Sequence, residues 1–131
     1  MADTTQAGTG RQGIELDLRQ RELLSQLLDK WSLQVLTQLC ERPCRFNELR
    51  RAIPEVTQKV LTTTLRRLER NGVVGREVIG MRPIAVEYRI TALGKTLRAP
   101  IDALQQWTQD HLAQVQVARD RFDQAEDDEL T

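Results

Sequence analysis

A mainly α-helical fold with a small β-hairpin is what this chain of 131 residues predicts, and three observations carry the reading. Leucines recur at helical spacing in the first half and again towards the end, with charged residues between them. Two of the helical stretches are separated only by Pro54, Glu55 and Val56. Immediately after Gly72 the apolar period drops from about 3.6 to about 2.

The elements follow in order. Residues 1–13 are small, polar and glycine-containing, and are expected to be a flexible segment. Residues 14–28 place Leu16, Leu23, Leu24, Leu27 and Leu28 at helical spacing. A second helix over residues 31–41 puts Val35, Leu36, Leu39 and Cys40 on one face, and Arg42-Pro43 ends it. A short extended piece, Cys44-Arg45-Phe46, leads to a compact helix with Asn47 as its expected N-cap and Leu49 and Ile53 facing inward. Pro54 stops that helix. Thr57 then caps a helix running to Arg70, which Asn71-Gly72 closes with a left-handed cap.

Two helices joined by so few residues have the spacing of a helix-turn-helix. Beyond them Val74, Arg76 and Val78, then Ile84, Val86, Tyr88 and Ile90, alternate with their neighbours around a Gly80-Met81-Arg82-Pro83 tip. That hairpin is a wing. Thr91 is expected to cap one long final helix carrying Leu93, Leu97, Ile101, Leu104, Trp107 and Leu112, with Pro100 as a kink or restart. The predicted architecture is therefore a winged helix-turn-helix domain over residues 14–118, its terminal helices forming a dimer interface. An acidic flexible tail, residues 119–131, completes it.

The formal charge is zero, yet its distribution is uneven. Between Arg42 and Arg98 lie 13 Lys/Arg against 5 Asp/Glu, while residues 99–131 hold 2 against 8. A basic middle between acidic ends matters for polyanion binding, because phosphate contacts act locally. No apolar run approaches the roughly 18 residues of a membrane span, and no secretory leader is visible at the start, so cytoplasm is the expected location. Two cysteines and one histidine cannot build a disulfide framework or a metal site within one chain. With no glycine-rich phosphate loop either, an enzyme is not expected, and no cofactor is implied.

On a helical wheel of residues 57–70, Leu61, Leu65 and Leu68 form the inward stripe. Lys59, Thr63, Arg66 and Arg70 lie opposite, Thr62 and Arg67 on the shoulders, and Gln58 at the start. This outer face carries no carboxylate, Glu69 falling nearer the buried side. Its chemistry suits the major groove of double-stranded DNA: Gln pairs with adenine, Lys or Arg with guanine, and a Thr methyl packs on thymine. Gln58, Lys59, Thr62 and Thr63, near the helix start, are candidate base readers, and the cap Thr57 is a further candidate for DNA contact. Arg66 and Arg70, with Arg45, Arg50 and Arg51 of the preceding element, are candidate phosphate ligands, and Arg82 is placed at the wing tip. The alternative is a winged-helix protein-protein module without DNA binding, whose outer face would more often mix charges.

The chain resembles the HxlR family, within the broader MarR-like winged-helix regulators. The resemblance rests on Asp29-Lys30-Trp31, Arg45-Phe46-Asn47-Glu48-Leu49 and Ile53-Pro54, then on the run from Val56 to Thr62 and that from Leu65 to Val74. It continues through Pro83, the run from Val86 to Thr91, Gly94, Leu97 and Trp107. It implies a homodimer on a pseudo-palindromic operator, with residues 57–70 as the reader and terminal helices at the dimer interface. The candidates there are Leu16, Leu23, Leu27, Ile101, Leu104 and Trp107, which leave more apolar surface than a small monomer easily covers. The expected function is sequence-specific transcriptional regulation, as a repressor.

Many members of the family respond to oxidants through a cysteine just ahead of the first helix; Ile14-Glu15-Leu16-Asp17-Leu18 stands there instead. Cys40, in register with Leu36 and Leu39, is expected to be buried and inert. Cys44, beside Arg42 and Arg45, is the one redox candidate, since cations favour a thiolate. Trp31 and Trp107 are packing anchors that can also wall a pocket for a small-molecule effector, whose identity the sequence does not name. His111 has no nucleophile partner in view.

Overall fold

The structure, a computed structural model, describes residues 16–130. The expectations for residues 1–13 and for Ile14 fall outside them. The chain divides into two compact units, one ending at Lys95 and the other beginning at Thr96.

The first unit opens with α1 (Leu18–Leu28) and α2 (Lys30–Glu41). Each begins on an aspartate whose carboxylate takes up helix-start N–H groups that have no partner within the helix. Asp17 accepts from the Gln20 N–H (2.9 Å), and Asp29 from those of Trp31 and Ser32 (both 3.0 Å). Strand β1 (Cys44–Arg45) leads straight into α3 (Phe46–Ala52). The expected cap at Asn47 is corrected here. The helix starts two residues earlier, on Arg45, whose N–H donates to the Glu48 carboxylate at 2.7 Å.

Helix α4 (Gln58–Arg70) starts where the sequence places it, Thr57 Oγ1 accepting the Val60 N–H at 3.1 Å. It ends on Gly72 at φ 78, with the Val73 N–H returning to the Leu68 carbonyl at 3.2 Å. Only glycine adopts that backbone cheaply, and it turns the chain directly into the wing. Strands β2 (Val74–Met81) and β3 (Ile84–Ile90) form an antiparallel hairpin, irregular between Val78 and Gly80. Its far edge pairs with β1, Cys44 opposite Tyr88 and Arg45 opposite Glu87, giving the strand order β1-β3-β2.

The core of this unit draws on every helix of the helix-turn-helix. Val35, Leu36, Leu39, Leu49, Ile53, Leu61, Leu65 and Leu68 are all essentially inaccessible, and Val56, Val73 and Val74 close it towards the wing. Each such side chain stabilises the fold by about 1.5–3 kcal/mol relative to exposure, so the α4 leucine stripe fixes which face of that helix remains outside.

The single helix expected from Thr91 is two. A short α5 (Ala92–Lys95) is capped by Thr91, whose hydroxyl accepts the Gly94 N–H (3.0 Å) and donates to the Gly72 carbonyl (2.6 Å). Gly94 is buried against β2 and β3: a Cβ there would collide with the Val73 carbonyl oxygen and the Ile90 side chain.

The second unit is dominated by α6 (Arg98–Leu130), about 50 Å long at 1.5 Å per residue. Pro100 is its third residue, where no intrahelical N–H is required, so the proline belongs to a helix start and makes no kink. Residues 119–130, expected to be a flexible tail, continue the same helix.

Candidate nucleic-acid interface

What orients α4 is a polar latch as well as its leucines. Arg67, a shoulder residue on the wheel, turns back towards the start of α2. Its NH2 group lies 2.7 Å from Asp29 Oδ2 and donates to Ser32 Oγ at 3.3 Å. Ser32, itself buried, donates to the same carboxylate at 2.7 Å. At the same end of α4, its cap residue Asn71 donates from Nδ2 to Gln26 Oε1 of α1 at 2.9 Å. Partial burial pushes the Asp29 carboxyl up, but the Ser32 hydrogen bonds, Arg67 and the Trp31 N–H together hold it below the usual carboxylate range. Sequence spacing did not disclose this pairing. The signal available was an aspartate placed to cap one helix, with an arginine facing it across the fold.

With Arg67 committed inward and Thr64 buried among the leucines, the other polar residues of α4 stand clear of the protein. Gln58, Lys59, Thr62, Thr63, Arg66 and Arg70 are all exposed, as is the cap Thr57. Glu69, expected nearer the buried side, is exposed too, with Oε2 3.9 Å from Arg76 Nε of β2. A groove of about 840 Å³ runs between the second half of α4 and the wing, lined by Thr62, Arg66, Arg67, Glu69, Arg70 and Arg76 among others. Arg45, Arg50 and Arg51 are exposed around α3, and Arg82 lies exposed in the two-residue turn of the wing. Arg89, by contrast, is tied to Glu77 (2.7 Å) and Glu87 (2.8 Å) across the hairpin. Arg42 lies 3.4 Å from Glu48, whose carboxyl is held low chiefly by the Arg45 N–H it accepts.

The cysteines depart from expectation. Cys44 is buried and donates to the Arg42 carbonyl at 3.4 Å. Burial raises its thiol pKa, outweighing the nearby Arg42 cation, and Glu48 and Glu87 add to the rise. The favoured thiolate predicted from neighbouring arginines is corrected accordingly. Cys40 is half-buried, not fully buried.

Of the residues expected at a dimer interface, Leu27 and Ile101 are buried, 9% and 7% exposed. Leu16 is half-buried, and Leu23, Leu104 and Trp107 remain exposed, Trp107 at 53%. The Trp107 ring stacks on His111 with centroids 4.8 Å apart. Trp31 carries Lys30 Nζ 4.5 Å over its ring and lines a separate hollow of about 300 Å³ with Asp29, Thr63 and Arg67. Among the described residues no three His, Cys, Asp or Glu side chains gather as a metal site. No helix among them is long and apolar enough to cross a membrane.

A leucine-seated helix with an open polar flank, a short helix before it and a hairpin after it define a winged helix-turn-helix. Residues 26–116 match the model of the HxlR-like helix-turn-helix family. An HTH-type transcriptional regulator of Methanothermobacter thermautotrophicus is 45% identical over 78 residues; the match spans 60% of each chain. YdeP of Bacillus subtilis, described in the same terms, is 39% identical over 97 residues, 74% of this chain and 70% of its own. The solved structure of the transcriptional regulator ytfH from Salmonella typhimurium superposes with a TM-score of 0.72 at 32% identity, over 81% of this chain and 99% of that one. The chain belongs to the HxlR-like helix-turn-helix family, a family of transcriptional regulators and not of enzymes.

Proposed function

We propose that the chain is a sequence-specific DNA-binding transcriptional regulator of the cytoplasm, acting as a homodimer on a pseudo-palindromic operator and repressing transcription there. The observation that carries the reading is the open flank of α4: two hydroxyls, an amide and three cations, exposed together on a helix locked to its support. Helix-start residues Gln58, Lys59, Thr62 and Thr63 read base edges in the major groove. Arg66 and Arg70, further along, hold phosphates with Arg45 and Arg50, and Arg82 reaches the backbone or minor groove from the wing. Exposed Leu23, Leu104 and Trp107 supply apolar surface for a second protomer. Two reading helices then enter successive major grooves about 34–36 Å apart.

The test is fluorescence anisotropy on the DNA upstream of the protein's own gene, titrated with salt. Wild type is expected to show a steep log–log salt dependence, and Arg66→Ala to make the slope shallower by about 0.9. Gln58→Ala is expected to narrow the gap between operator and random duplex while leaving the slope in place. Affinity indifferent to salt would refute the proposal.

A further inference from the structure

The outer half of the wing is apolar and exposed. Between Val78 and Val86 the only charged residue is Arg82. Met81 is 72% exposed and Ile84 70%, with Val78 and Ile79 exposed behind them. The strand register gathers most of these side chains on one face. Val78 pairs with Val86 and Met81 with Ile84, and alternate residues along a strand share a side. The irregularity between Val78 and Gly80 inserts one residue, Ile79; without it Gly80, not Met81, would stand opposite Ile84. Nearer the root the same face carries Arg76 opposite Tyr88, and both line the groove beside α4. The face that the wing turns to the α4 side is thus polar at its base and apolar at its end.

We propose that Met81 and Ile84 enter the minor groove beside α4 as an apolar wedge, parting one base step and bending the duplex. The inference rests on the DNA-binding reading above and adds to it a deformation of the DNA. Reach allows it. From Val74 to Met81 the strand runs about 23 Å at about 3.3 Å per residue, more than the roughly 17 Å of half a helical turn that separates one groove from the next. Width then decides the mode of contact. Two paired strands lie about 4.8 Å apart before side chains are added, and an undistorted minor groove is only about 6 Å wide. A tip that stayed at the mouth of that groove would set Met81 and Ile84 among phosphates, where apolar groups gain nothing. Opening the groove buries both side chains against a base step, while Arg82, with no carboxylate beside it in sequence, meets the phosphates at the rim. Pyrimidine–purine steps part most easily, so the wedge selects such a step where no hydrogen bond reads the bases.

Bending is read by circular-permutation gel shift on the DNA upstream of the protein's own gene. Unstacking is read on the same DNA from the emission of 2-aminopurine, placed in turn at each protected adenine. Wild type is expected to bend the duplex by at least about 20° and to raise emission at one step at least about threefold. Met81→Thr with Ile84→Thr keeps side chains suited to a strand, and should abolish both signals. It should weaken binding about tenfold while leaving the salt slope that of wild type, because apolar burial is lost and no cation is. Met81→Leu should retain the bend, and so should Arg66→Ala at saturating protein. Salt-dependent binding to a straight, fully stacked duplex would overturn the wedge and leave the DNA-binding reading standing. So would a bend undiminished in the double variant. Absence of salt-dependent binding by wild type would instead refute the DNA-binding reading, and the wedge with it.

Discussion

Replacing Asp29 separates two jobs that one carboxylate performs. It caps α2 by accepting two backbone N–H groups, and it receives Arg67 from α4 at 2.7 Å. Asp29→Ala removes both. Loss of the cap costs about 1 kcal/mol. Arg67, whose Nε is already buried without a partner among the described residues, then also lacks its carboxylate, for about 1–2 kcal/mol more. The lower half of that range applies, because both side chains are about a third exposed and water screens the pair. The expected total is about 2–2.5 kcal/mol. Asn caps helices as well as Asp does, so Asp29→Asn should lose only the charged contribution, about 1 kcal/mol. Urea unfolding at pH 7 measures both, as shifts of midpoint at constant slope. Because the Asp29 carboxyl titrates in the folded protein below its ordinary 3.8, its contribution is present above that pH and is lost as pH falls through the lower folded value. The advantage of wild type over Asp29→Asn should therefore shrink below about pH 4. Equal losses for Asn and Ala, or an Ala loss under about 0.5 kcal/mol, would refute the two-job account.

Other consequences can be measured as directly. Gly94→Ala drives a methyl into the Val73 carbonyl and Ile90, and should cost about 2–3 kcal/mol by thermal or urea unfolding. Cys44, buried with a raised pKa, should react with iodoacetamide at pH 8 at least tenfold more slowly in the native protein than in urea; a native rate matching the unfolded one would contradict its burial. Arg67→Ala should destabilise the fold by about 1–2 kcal/mol by unhooking α4 from α2. Arg51→Ala, at an exposed position, should leave stability within about 0.5 kcal/mol, and a larger loss would mean that Arg51 is structural.

Much of the fold was legible because its boundaries are chemical. Thr57, Pro54 and Asn71-Gly72 mark the ends of the two helices and of their connection, and each acts through local backbone needs that a sequence displays. The open flank of α4 was legible too, since three leucines at helical spacing determine what lies opposite them. The rest depended on distant partners. The two-residue strand β1 exists only because residues 87 and 88 return beside it, and nothing local announces so short a pairing. Glu48 outcompeted Asn47 as a capping partner because it reaches back to the Arg45 N–H, a choice that composition alone leaves open. The close packing of Gly94, where a Cβ would meet a carbonyl twenty-one residues earlier, likewise involves a partner distant in sequence. The wheel sets Arg67 on a shoulder beside the outward Arg66, and only the fold reveals that it faces Asp29.

The pairing of β1 with the wing's return strand has a consequence for how such a domain can vary. It fastens the hairpin at its base from both sides, through Gly72 at one root and Tyr88 opposite Cys44 at the other, while the tip at Arg82-Pro83 stands unsupported. Added residues at the tip would lengthen a free end without moving the frame. A single residue inserted between Gly72 and Val74 would invert the strand's inward and outward sides and uncouple the wing from the helix before it. Variation in reach thus belongs to the tip, and alignment of wing with helix belongs to the root.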